Sequence, residues 1–201
     1  MTASLINRQE NPPAAEQYLT LEGVTWQQYD ALVALFIDQF PALRMTYLEG
    51  VLELRTASPE HERLKKIIAR LIEAFVEEAD IDLNGYGSAT FRRKAAARGL
   101  EPDECYSLGE LGESPDIAIE IVLTSGGIDK LAVYKGLGVK EVWFWENQTF
   151  SLYGLIDSET GYETLSASRL LLGLDLYVLA QFIDYPSQTQ AVKAFRKTLR
   201  G

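Results

Sequence analysis

The 201-residue chain has one cysteine and one histidine. A lone cysteine, Cys105, excludes an intrachain disulfide and fits a reducing compartment; its expected role is that of a small buried hydrophobe. A lone histidine, His61, leaves no second imidazole for a zinc site of ordinary spacing. No run approaches the 18 apolar residues of a membrane span. The polar N-terminus has no apolar core of signal-peptide type, so the expectation is a soluble, cytoplasmic protein without membrane contact. Basic residues are also in deficit, 19 against 29 acidic, for a net charge of −10. That argues against broad electrostatic binding to nucleic acid, which leaves a basic footprint. It leaves room for a local basic groove, or for carboxylates that hold a metal. Walker A, G-x-G-x-x-G and G-x-S-x-G patterns are missing.

What is present is globular: 47% hydrophobic and 24% charged residues predict one domain over residues 18–201 after a flexible segment 1–17. Thr25-Trp-Gln-Gln28 has capping-box spacing and opens a helix to about Gln39, ended by Pro41. Arg44–Tyr47 and Val51–Arg55 flank Leu48-Glu49-Gly50 as a hairpin. Ser58-Pro59 starts a long helix to about Ala79, with Leu64, Ile67, Ile68, Leu71, Ile72 and Phe75 as a buried stripe. Leu83–Phe91 and Asp103–Leu108 read as short strands around a basic segment, Arg92 to Arg98. Ile117–Leu123 is the strongest strand. After Ser125-Gly-Gly127 come a short helix Ile128–Leu137, strands Val139–Glu146 and Phe150–Leu155, an apolar helix near Leu174–Ile183, and a basic tail beyond Pro186. This order predicts a mixed α/β fold, a central mixed β-sheet flanked by helices, with an N-terminal helix and hairpin.

Glu120 stands in the middle of the strongest strand, on the face of Asp116, Ala118 and Val122. A carboxylate there needs a metal, a cation or water. Asp116 lies about 13 Å away along a straight strand, whereas a neighbouring strand is only about 5 Å away, which makes Asp103 the better partner. Lys130 falls with Val133, Tyr134 and Leu137 on the inward stripe of the next helix, where it would either pair Glu120 or hold a phosphate; a lysine snorkelling at a helix start is the plainer alternative. His61 continues the apolar stripe of the long helix inward, as a hydrogen-bonded core residue or a site residue. Glu62 points off the stripe.

Ser58-Pro-Glu-His61, Pro102-Asp103, Pro115-Asp116-x-x-x-Glu120-x-Val122, Asp129-Lys130-x-x-x-Tyr134 and Gly138-Val139-x-Glu141-Val142-Trp143, in this order, resemble the Uma2 family over about residues 44–185. The resemblance implies a restriction-endonuclease-like fold of the PD-(D/E)xK type. It further implies a Mg²⁺- or Mn²⁺-dependent DNA endonuclease in which Asp103, Asp116 and Glu120 bind metal. Lys130 then replaces the motif lysine, whose place Val122 occupies, and His61 or Glu62 assists. A non-catalytic nucleic-acid- or protein-binding descendant of the fold is the alternative. Arg92, Arg93, Lys94 and Arg98 are the expected DNA contacts. A homodimer is expected for cutting two strands, with apolar surface around Trp143–Leu155 and one of Trp143 and Trp145 facing the core.

Overall fold

The computed structural model describes residues 16–36, 39–40, 42–124 and 126–200. The expected flexible segment lies outside these residues except for its last two, as do Ile37, Asp38, Pro41 and Ser125 of the predicted first helix and glycine turn. Two sheets organise the chain. The first holds β1 (Gln17–Leu21), β2 (Leu43–Leu48), β3 (Val51–Thr56), β5 (Phe91–Arg93) and β6 (Arg98–Leu100), all antiparallel in the order β1-β3-β2-β6-β5. The second holds β4 (Leu83–Gly85), β7 (Glu104–Leu108), β8 (Ile117–Val122), β9 (Glu141–Glu146), β10 (Thr149–Asp157) and β11 (Gly161–Leu165), in the order β11-β10-β9-β8-β7-β4. Its one parallel pair, β8 with β9, is joined by the crossover helix α3 (Lys130–Leu137).

Local chemistry sets the elements that frame the site. Helix α1 (Trp26–Phe36) carries the predicted capping box: Gln28 N donates to Thr25 Oγ1 at 3.3 Å and Thr25 N to Gln28 Oε1 at 2.8 Å. The β2–β3 turn places Glu49 and Gly50 at positive φ, as a tight two-residue hairpin requires. Helix α2 (Pro59–Glu78) begins at Ser58, whose Oγ accepts from His61 N at 3.1 Å. Its stripe packs on Ile117, Ile119 and Ile121 of β8 together with α4 (Leu176–Ala180) and α5 (Gln188–Leu199). The opposite face of β8, through Ala118, meets Val133, Tyr134 and Leu137 of α3. Strand β8 is therefore covered on both sides.

Three expectations are corrected. Leu83–Phe91 is no single strand; it divides into β4 and the start of β5, which belong to different sheets. The basic tail is helical, because Ala191 and Phe195, one turn apart, bury themselves against the core. Trp143 and Trp145 do not offer an interface. Residues two apart on a strand share a face, and both tryptophans lie in the same core as Leu152.

Candidate functional site

The C-terminal half of β8 meets the first turn of α3 and the N-terminus of α2, and seven ionisable side chains converge there. Glu120 is fully buried. Lys130 and Tyr134, one helical turn apart on α3, both reach it: Lys130 Nζ lies 2.5 Å from Oε2, and the Tyr134 hydroxyl donates to Oε1 at 2.5 Å. Strand β7 runs antiparallel to β8 with Glu104 opposite Ile119; continuing that register by one residue sets Asp103 opposite Glu120. Asp103 Oδ2 accepts from Ile121 N at 2.8 Å. Its Oδ1 receives Arg55 Nη2 at 2.5 Å and stands 2.9 Å from His61 Nε2. On the other side of the imidazole, His61 Nδ1 is 2.7 Å from Glu16 Oε1, and Arg55 Nη1 is 3.7 Å from the same oxygen.

Burial raises the stakes of every charge in this group. Desolvation pulls the His61 pKa down, but its bonds to Asp103 and Glu16 outweigh that and lift it to about 9, so the ring is an imidazolium at neutral pH. Burial would raise the Asp103 carboxyl; His61 and Arg55 overcome this and hold it well below the usual carboxylate range. Glu120 goes the other way. Burial raises it, Asp103 adds to the rise, and Lys130 and Arg55 offset only part. Glu120 thus stays above its ordinary range even with Lys130 beside it.

The structure brings together His61, Asp103, Glu120 and Lys130 of the predicted residues. Asp116 sits at the other end of β8, accepting from Leu108 N at 2.9 Å and pairing Lys140 Nζ at 2.7 Å. Glu62 is half exposed on α2 and pairs Lys65 at 3.2 Å. In the basic segment Arg92 pairs Asp30 and Arg93 donates to Gly136 O, while Lys94 is exposed. Arg98 is spent internally on Ala132 O, Ala96 O and Glu49. Sequence reasoning missed Arg55 and Glu16, and took Tyr134 only as core. The signal for Arg55 was the alternation of β3, where Leu52 and Leu54 take one face and Glu53 and Arg55 the other.

A family model, Uma2, described as "Putative restriction endonuclease", matches residues 26–181. The chain belongs to the Uma2 family. No curated protein matches it. The matched Uma2 segment holds Arg55, His61, Asp103, Glu120, Lys130 and Tyr134; Glu16 and the whole of β1 precede it. Among the described residues no helix is long and apolar enough to cross a membrane.

Proposed function

We propose that this Uma2 protein is a divalent-metal-dependent endonuclease that hydrolyses DNA phosphodiester bonds, with Glu120, Asp103 and Lys130 as its working residues. The observation that carries the reading is the lysine. Val122 stands two residues after Glu120, where the nuclease motif has its lysine, and Lys130 supplies the ammonium from α3 instead, 2.5 Å from Glu120. That is a migrated side chain restoring the same charge at the same carboxylate.

The donor set suits Mg²⁺ or Mn²⁺. Both are hard cations that take carboxylate oxygens, and Mg²⁺ commonly uses only one or two carboxylates and keeps its waters. Among the described residues no three acidic, histidine or cysteine side chains form a group shaped for an ion, but Asp103 and Glu120 supply two: Asp103 Oδ1 is taken by both Arg55 and His61, whereas Asp103 Oδ2 and both Glu120 oxygens each keep a second lone pair beside one donor. Bound there, the ion supplies Lewis-acid polarisation of the phosphate and a more acidic water. The protein's own groups do the rest. Arg55 and His61 keep Asp103 ionised. Tyr134 fixes the rotamer of Glu120. Lys130, the most exposed of the three cations at 16%, presents its charge toward an entering phosphate. Lys94, Arg92 and Arg93 are the local basic surface for the flanking backbone. A two-fold dimer would supply the second site for the second strand.

A second reading, a non-catalytic binding descendant, is favoured by one observation: Glu16, Asp103 and Glu120 are matched one for one by Arg55, His61 and Lys130. Incubation of supercoiled plasmid with Mg²⁺ or Mn²⁺ separates the two. The nuclease reading expects nicking by the wild type, none by Glu120→Gln, and a rate lower by about 10² in Lys130→Ala, as loss of one transition-state charge partner gives. A folded wild type that cuts with neither ion leaves the binding reading.

A further inference from the structure

We propose that Glu53 is a positioning residue: it holds the β8–α3 loop so that Lys130 is set on Glu120. Glu53 lies in the middle of β3, opposite Thr20 of β1 and Thr46 of β2, and only 2% of it is exposed. A buried carboxylate needs donors. Among the described residues its donors are backbone amides of the loop that leaves the other sheet. Oε2 accepts from Gly127 N at 2.6 Å and from Ile128 N at 3.4 Å. Ile128 is two residues before Lys130, the first residue of α3.

The fit is close enough to dictate the residue type beside it. A Cβ built on Gly126 would stand 2.7 Å from both Glu53 oxygens, so any side chain there would push loop and carboxylate apart. From β1 the Tyr18 hydroxyl donates to Thr124 O at 2.8 Å, a second tether on the same loop. Asp129 then caps α3 by accepting from Ala132 N at 3.3 Å. The first sheet thereby fixes where α3 starts, and the start of α3 fixes where the Lys130 ammonium ends. Bonds from Glu53 go to amides of the loop, so it acts through Lys130 and not on a substrate.

The geometry stands without any activity, and only its consequence in rate rests on the nuclease reading. The test is therefore carried by a measurement on Lys130 itself. Glu53→Ala, Glu53→Gln and Gly126→Ala are compared with wild type, each first shown folded by its urea transition. Amine acetylation followed by mass spectrometry reads Lys130, with the exposed Lys193 and Lys197 of α5 as internal references. Amide exchange reads Gly127 and Ile128. In Glu53→Ala, Lys130 labelling and exchange at these two amides rise about tenfold or more, the factor that losing a charge-assisted hydrogen bond gives. Glu53→Gln, which keeps a carbonyl acceptor, recovers most of the protection. If Glu53→Ala does not fold, Gly126→Ala carries the test with the same expected rise. With an active wild type, kcat of folded Glu53→Ala falls about 10- to 100-fold at unchanged KM, as a misplaced catalytic group does. Lys130 still protected in a folded variant, or cleavage unchanged by Glu53→Ala, overturns the proposal. A wild type that cuts no plasmid removes the nuclease reading alone, and the labelling result still decides the role of Glu53.

Discussion

Replacing Lys130 by methionine keeps most of the stem's volume and removes the charge. Glu120 is then left fully buried with the Tyr134 hydroxyl as its remaining close donor. Breaking a buried pair typically costs about 3–5 kcal/mol. Here 16% of the lysine side chain reaches solvent and the tyrosine bond survives, so the cost falls at or just below that range, about 2–3 kcal/mol. With a urea m-value of about 2 kcal/mol/M for a chain of this size, the midpoint falls by about 1–1.5 M. The loss depends on pH with a definite sign. Burial already lifts the Glu120 carboxyl above its ordinary pKa, and without Lys130 it rises further. A carboxyl whose folded pKa exceeds its unfolded one costs stability above that pKa, and the cost fades as pH falls because the folded state takes up the proton first. The gap between wild type and Lys130→Met is therefore widest at neutral pH and narrows on acidification. In the double variant with Glu120→Gln the midpoint returns to within about 0.5 M of wild type, since both partners of the pair are gone. An unchanged midpoint in Lys130→Met at pH 7 would refute the buried-pair argument.

Three further outcomes are expected. His61, lifted from 6.5 to about 9 by Asp103 and Glu16 against the pull of burial, contributes about 3 kcal/mol below pH 6.5. That contribution is lost as pH rises through 9, so in EDTA the urea midpoints of wild type and His61→Gln converge on alkalinisation. Arg98→Ala costs about 1–2 kcal/mol of stability by releasing the Ala132 and Ala96 carbonyls, whereas Lys94→Ala leaves the melting temperature in place and lowers the salt slope of DNA binding by about one unit. Gly99→Ala drives a Cβ to 2.4 Å from the fully buried Tyr29 hydroxyl, and calorimetry should show a stability loss of about 1–3 kcal/mol from overpacking.

How far the sequence could be read follows from where each signal was local. The stripe of α2, the cap at Ser58, the hairpin and the Ile117–Val122 strand are properties of neighbouring residues, and they stand as expected. So does the facing of Lys130 and Glu120, because helical spacing turned Lys130 inward and an apolar strand left Glu120 in want of a cation. Strands β1, β6 and β11 were not legible. They are three to five residues long, too short for alternation to show, and in β1 and β11 exposed polar positions blur it further. Arg55 meets Asp103 across 48 residues of chain, and Arg98 finds its carbonyl on a helix 34 residues away. Nothing in either local pattern names that partner. The tail was read by its charge, yet Arg196 and Arg200 turn back onto Glu78, and α5 is a packing helix that leaves Lys193 and Lys197 exposed.

The central claim is that Asp103 and Glu120 together hold a divalent cation. Calorimetric titration of Mn²⁺ into wild type and into folded Glu120→Gln tests it most directly. The account predicts saturable binding to the wild type that disappears in Glu120→Gln and persists in Lys130→Ala. Equal binding heats in wild type and Glu120→Gln, or none in either, would contradict it.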